Sequence, residues 1–116
     1  MNIEEIRTFC LSKKGVTESF PFDETTLVFK IGNKMFTLIN IETGTKIAVK
    51  CNPELAIELR EKYNYITSAF HMNKKHWNSI DIRFANDTLL KQQINNSYNL
   101  VFNSLTKIKK NKINAE

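Results

Sequence analysis

The strongest constraint on the fold is a run of three alternating segments between residues 26 and 51, "TLVFKIGNKMFTLINIETGTKIAVKC". Apolar and polar residues alternate in each segment, as in β-strands with one buried face. Gly32-Asn33 predicts a two-residue hairpin turn, because a glycine at its first position tolerates a positive φ. "ETGT" marks a second turn. The segments therefore predict an antiparallel sheet at the centre of the fold.

Helices are predicted before and after this sheet segment. The first follows Asn2, which can form a capping box with Glu5. The second, "NPELAIELREKY", has Asn52 as its cap and Pro53 in its first turn, where the missing N–H costs nothing. The last, "NDTLLKQQINNSYNLVFNSL", has Asp87 as its predicted cap.

Two more strands, "YITSAF" and "WNSIDIRF", are predicted on either side of "HMNKKH". The element order is then α-β-β-β-α-β-β-α. This order predicts an α+β domain with a single antiparallel sheet of about five strands, helices on one face and the other face partly open to water. The predicted core includes Ile47, Val49, Leu59, Ile94 and Tyr98.

The net charge of +5 lies entirely in the second half of the chain. Residues 1–62 carry nine basic and nine acidic side chains, whereas residues 63–116 carry eight and three. This asymmetry indicates an anionic partner, or only a solvated lysine tail. Residues 1–105 are predicted to form the domain, and the lysine-rich residues 106–116 to fray.

Other function classes have little support in the sequence. No apolar run approaches the ~20 residues of a membrane span, and the acidic N-terminus is unlike a signal peptide, which predicts a cytoplasmic protein without membrane contact. Cys10 and Cys51 are predicted to be buried thiols. No catalytic signature is present, so we expect no enzymatic activity, cofactor or small-molecule substrate.

The residues most suggestive of function form the stretch "FHMNKKHWN", positions 70–78. Two lysines lie between two histidines and would repel a metal cation, so no zinc or iron site is expected. Lysines can instead neutralise phosphates, while asparagine and histidine can form hydrogen bonds with phosphates or base edges. The stretch therefore predicts a basic loop, or wing, that binds nucleic acid through His71, Asn73, Lys74, Lys75, His76 and Asn78.

Structural interpretations of the same residues remain open. Trp77 is interpreted as a core anchor rather than a base-stacking platform, and the asparagines and histidines can satisfy turn backbone. A supporting basic face on the sheet is predicted from Lys30, Lys34, Lys46 and Lys50. A protein-interaction module, using the open sheet face or the basic tail, fits the same sequence.

Several segments resemble the MmcQ/YjbR family. They are "FPFDETTLVFKIGNKMF", "KIAVKCNPELAIELRE", "FHMNKKHWNSI" and "INNSYNLV", and the resemblance extends from about Ile3 to Leu105. It implies a CyaY-like α+β fold and a likeness to a double-wing DNA-binding domain. The resemblance thus implies DNA as a partner by analogy of fold, and it implies no catalytic activity.

Overall fold

The structure, a computed structural model, describes residues 1–69 and 72–116. Its described elements are, in chain order, α1 (Ile3–Leu11), β1 (Val16–Ser19), β2 (Thr26–Ile31), β3 (Lys34–Asn40), β4 (Lys46–Lys50), α2 (Pro53–Lys62), β5 (Ile66–Ser68), β6 (Trp77–Asp81), α3 (Asp87–Ser104) and α4 (Lys107–Asn114). The strands form one antiparallel sheet in the order β1-β2-β3-β4-β6-β5. The predicted α+β class and single antiparallel sheet are confirmed.

Local sequence signals account for several element boundaries. The Asn2 side-chain oxygen accepts a 2.8 Å hydrogen bond from the Glu5 amide, and the Glu5 carboxylate accepts one from the Asn2 amide. At the β2–β3 turn, Gly32 and Asn33 have φ values of 55° and 67°. Two positive φ angles are what a two-residue hairpin with the sheet's natural twist requires.

The structure adds two elements to the predicted order. The edge strand β1 reads "VTES" and has only one large apolar residue, so its alternation is too weak to identify from sequence. Helix α4 occupies residues that were predicted to fray, and its Ile113 is buried. The cap of α3 also differs, since Asn86 rather than Asp87 accepts the capping hydrogen bond from Leu89.

The two faces of the sheet pack differently. The main core lies between the sheet and the helices, and Ile47, Val49 and Ile94 are fully buried there, whereas Tyr98 is only partly buried at its margin. On the other face, a smaller cluster of buried residues consists of Val28, Leu38, Ala69 and Trp77. That face is therefore covered in part by the chain around Ala69 and Trp77.

Strand register places the connections at two ends of the sheet. The β2–β3 hairpin, the last residues of β4 and the first residue of β6 share one end, because Ile31 pairs with Lys34 and Lys50 pairs with Trp77. We call this the loop end, since residues 72–76 lead into β6 there. The opposite end carries the β1–β2 connection and the turn after β6.

Among the described helices, none combines the length and the apolar character that a membrane span would need.

Candidate nucleic-acid interface

Residues 72–76, the basic loop, form a compact turn organised by Asn73. The side-chain oxygen of Asn73 accepts a 2.9 Å hydrogen bond from the Lys75 amide. Its main-chain oxygen accepts hydrogen bonds from the amides of His76 and Trp77, at 3.1 and 3.0 Å. The predicted role of Asn73 in satisfying turn backbone is thus present, and the residue is also exposed.

Arg60 of α2 ties the basic loop to the body of the domain. Its guanidinium donates to the Lys74 carbonyl oxygen at 2.9 Å and to the Asn78 side-chain oxygen at 3.0 Å. The Asn78 amide in turn donates to the Ala56 carbonyl oxygen at 3.3 Å. Helix α2 is consequently bonded to the loop at Lys74 and to the strand that follows it at Asn78. Because the backbone of the loop is already restrained, the loop loses less backbone freedom on binding.

Asn78 does not belong to the exposed surface of this loop, contrary to the sequence-based prediction. It is 1% exposed, and both ends of its side-chain amide are hydrogen-bonded inside the protein. The reason is strand alternation: Asn78 and Ile80 face the helices, while Trp77 and Ser79 face the other way. A side chain in that position has no access to a nucleic-acid groove.

Trp77 is 7% exposed and packs with Val28, Leu38 and Ala69. The sequence interpretation made it a core anchor, and it is indeed buried, but its cluster lies on the face of the sheet away from the helices. Its burial leaves little ring surface for stacking on a base. Trp77 therefore serves as a packing residue at the start of β6, directly after the basic loop.

The basic loop presents cations without acidic partners. Lys74 and Lys75 are exposed, and Arg60 is half-buried beside them. Within the described part of the chain, ion pairs involve the N-terminal ammonium, Arg7 and Arg83, but not Arg60, Lys74 or Lys75. Their positive charges are available to an external anion.

Of the two histidines in residues 70–78, the structure describes His76. His76 is half-buried, and its main chain donates to Asn73 and accepts a 2.7 Å hydrogen bond from the Cys51 amide. The structure thereby uses the backbone of His76 to join the loop to the end of β4. His71 lies outside the described residues, so its predicted contact stays a prediction.

The predicted lysine face is only partly formed. Lys30, Lys46 and Lys50 project from the sheet on the side away from the helices, according to their register partners. Lys34 pairs with the inward-facing Ile31, and its ammonium lies 3.5 Å from the Ser104 hydroxyl of α3. Lys34 therefore lies on the helix side, contrary to prediction, because the β2–β3 register shifts after Phe29.

Ligands for a metal do not converge in the described residues: no group of three His, Cys, Asp or Glu side chains lies close enough together to hold an ion.

Burial raises the pKa of the Cys10 thiol to about 12. Burial also raises the pKa of Cys51, against the opposing effect of the nearby Arg60 charge. Both thiols are therefore protonated at neutral pH and poor nucleophiles.

Arg60 is the site residue that the sequence interpretation missed. It is separated from Asn78 by 18 residues, and nothing in its local pattern marks it as a partner of the loop. The available signal was its position in "KCNPELAIELRE", one of the segments that carry the family resemblance.

The chain is similar to a protein family and to proteins of Escherichia coli. The family model YjbR matches residues 11–100. "Uncharacterized protein YbdF" of Escherichia coli O157:H7 is 35% identical over 106 residues, which cover 90% of this chain and 87% of the relative. "Uncharacterized protein YjbR" of Escherichia coli strain K12 is 28% identical over 81 residues, 69% of each chain.

Two solved structures are similar to this one. The crystal structure of Deinococcus radiodurans protein DR2400, with the domain DUF419, superimposes with a TM-score of 0.91 at 30% identity and covers 97% of this chain and 88% of its own. A Pseudomonas syringae protein, structural genomics target PsR293, superimposes with a TM-score of 0.73 at 25% identity and covers 87% of this chain and 99% of its own. The fold is therefore shared over nearly the whole chain.

Proposed function

This chain belongs to the YjbR family, and from the chemistry of its basic loop we propose that it binds nucleic acid, with DNA as the partner, and catalyses no reaction. The observation that carries the proposal is the pair of exposed lysines, Lys74 and Lys75, on a loop that Arg60 restrains through the Lys74 carbonyl. This arrangement presents unpaired positive charge on a fixed backbone.

Phosphate contact is the chemistry that such a loop performs best. Each lysine that meets a phosphate displaces condensed counterions, and this release drives association at low salt. The loop offers few groups that read bases, because the Asn78 amide is buried. Asn73 and His76 remain the described candidates for base contacts. We therefore expect binding with little sequence preference.

The non-catalytic part of the proposal is supported by the surroundings of the polar side chains. General-base catalysis needs a base within hydrogen-bonding reach of a nucleophile, and a third group that orients the base. Among the described hydrogen bonds, the imidazole of His76 has no serine, cysteine or carboxylate partner. The groups around His76 fix the loop instead.

The test is a salt titration of binding to a short DNA duplex with the variant Lys74→Gln/Lys75→Gln. If each lysine meets one phosphate, the log–log slope should become shallower by about 1.8. The matched control is Lys62→Gln/Lys91→Gln, which removes the same charge from exposed positions on α2 and α3. Equal changes in both variants would mean that net charge alone acts. No binding by the unaltered protein at low salt would refute the proposal.

Protein binding is a second candidate, favoured by exposed aromatic residues at the opposite end of the sheet. Phe22 and Phe84 are 63% and 67% exposed. Phe22 borders a cavity of about 510 Å³ whose lining includes Leu38 and Ala48. An apolar peptide side chain fits such a recess. Phe22→Ser would weaken capture of a protein partner and leave DNA binding unchanged, which pull-down and DNA-binding assays would separate.

A further inference from the structure

We propose that α4 and the β2–β3 hairpin form a second basic element, and that this element and the basic loop contact two separate stretches of the backbone of one DNA duplex. The inference rests on the proposed function and extends it, since it names double-stranded DNA as the partner and adds a helix, α4, that lies outside the YjbR match, which ends at residue 100.

Helix α4 is packed against the domain at both ends. Ile113, 7% exposed, lies against Gly15, where a Cβ would come within 3.1 Å of the isoleucine side chain. Just before α4, Leu105 lies against Gly32, where a Cβ would come within 2.7 Å. Both glycines have a positive φ and approach the apolar side chain closely, so a larger residue at either position would be strained and would require the leucine or isoleucine to shift. The helix therefore has a fixed position beside the hairpin.

The lysines of α4 extend the positive charge of the hairpin. Lys109 donates a 3.2 Å hydrogen bond to the Gly32 carbonyl oxygen, and Lys34 lies next to Ser104. Both partners are neutral, so the charges are not cancelled. The α4 segment contains no acidic residue, and its lysines take part in none of the ion pairs found in the described residues. The lysines of α4 are Lys107, Lys109, Lys110 and Lys112.

Strand register places this second element at the loop end of the sheet. Lys34 begins β3, and Trp77, which follows the basic loop, begins β6. One strand, β4, lies between β3 and β6. At about 4.8 Å per strand, β3, which begins after the hairpin, and β6, which begins after the basic loop, lie about 10 Å apart. Since the major groove is about 12 Å wide, this spacing suits contact with phosphates on its two sides.

The distribution of aromatic residues favours duplex over single-stranded DNA. Proteins that bind single strands combine basic grooves with exposed aromatic rings on which bases stack. In the described residues, the strongly exposed phenylalanines are Phe20, Phe22 and Phe84, and all three are at the opposite end of the sheet. Among the described residues, the loop end offers cations without such strongly exposed phenylalanines, which matches a regular double-stranded backbone.

Acidic residues at the opposite end of the sheet also favour contact of DNA with the loop end. Asp23, Glu24 and Glu42 are exposed on the connections at the opposite end. Asp23 accepts hydrogen bonds from the Thr25 and Thr26 amides, which lower its pKa and keep it ionised. These three carboxylates disfavour phosphate contact at that end, which favours an approach of DNA from the loop end.

The test compares three full-length variants in salt titrations with a duplex. Lys107→Gln/Lys109→Gln/Lys112→Gln removes charge from α4, Lys74→Gln/Lys75→Gln removes it from the basic loop, and Ile113→Gln leaves the charge unchanged but removes the contact with Gly15. We expect the α4 variant to make the slope shallower by about 2.7 if each lysine meets a phosphate. Ile113→Gln should weaken duplex binding at least tenfold, because the same charges lose their fixed position.

The outcomes separate this inference from the function on which it rests. If the loop variant changes the slope and the α4 variant does not, α4 is no contact surface while the proposed function stands. If the unaltered protein binds no duplex, both fail. Equal affinity for a single strand of the same length would overturn the assignment of duplex DNA. The assignment would also fail if the α4 substitutions weakened binding to anionic vesicles but not to the duplex. If Ile113→Gln unfolds the protein, the lysine variants still test whether α4 contacts the duplex.

Discussion

The Arg60 guanidinium and the buried Asn78 side chain form a 3.0 Å hydrogen bond that joins α2 to β6 at the base of the basic loop. Asn78 also donates to the Ala56 carbonyl, so each of its polar atoms has a partner. This contact explains how a loop rich in polar residues keeps a defined backbone next to the hydrophobic core.

We first predict energetic coupling between these two residues. Asn78→Ala should lower the free energy of unfolding by about 1–3 kcal/mol, because it removes the hydrogen bonds that the buried amide forms with the Arg60 guanidinium and the Ala56 carbonyl. In a double-mutant cycle with Arg60→Ala, the combined loss should fall short of the sum by about 0.5 kcal/mol or more. Urea denaturation measures each corner. Glu42→Ala, at the opposite end of the sheet, should be additive with Arg60→Ala; additivity of the Arg60 and Asn78 changes would contradict the coupling.

The second prediction concerns Trp77. Trp77→Ala should destabilise the protein by about 3–5 kcal/mol, because it leaves a cavity among Val28, Leu38 and Ala69. Circular dichroism should follow unfolding, since the substitution removes the chain's one tryptophan. Phe84→Ala is the control, because a 67% exposed ring should change stability by no more than about 0.5 kcal/mol. A stable Trp77→Ala protein with weakened DNA binding would instead identify the ring as a contact residue.

The third prediction concerns a polar group inside the main core. Thr37 is fully buried, and its hydroxyl has no oxygen or nitrogen partner among the described residues. Its polar neighbour is the Cys10 thiol, a weak hydrogen-bonding group. Thr37→Val keeps the side-chain shape and removes the desolvated hydroxyl, so we expect stability to rise by about 1 kcal/mol. A thermal melt tests this, and a lower melting temperature would show that the contact with Cys10 is stabilising.

The fourth prediction is a loss of stability in acid through Asp81. The pKa of Asp81 lies below its ordinary value of 3.8, mainly because Arg83 donates side-chain hydrogen bonds to the carboxylate. Because the folded carboxyl binds its proton less readily than the unfolded one, its contribution is complete well above pH 3.8 and declines as the pH falls through the folded pKa. Asp81→Asn should flatten this decline in urea melts between about pH 5 and 2. An unchanged pH profile would argue against a stabilising ion pair.

The basic loop shows where prediction from sequence ends. The exposed Lys74 and Lys75 were expected from their polar surroundings, and Trp77 was interpreted as a packing residue from its place at the start of a strand. Asn78 and Lys34 were misplaced, because the face of a strand residue depends on register, and a shift of one position moves a side chain to the other face. Register depends on partners that are distant in the chain.

The sequence alone determined the elements whose signals are local: the Asn2–Glu5 capping box, the Gly32–Asn33 turn, and the alternation that places Ile47 and Val49 in the core. These follow from backbone geometry and from hydrophobic periodicity within a few residues. Only the tertiary structure decided that Arg60 fixes the basic loop, and that Ile113 packs α4 against Gly15. Such contacts form between residues far apart in the chain, so their partners become definite only once the sheet and helices have packed together.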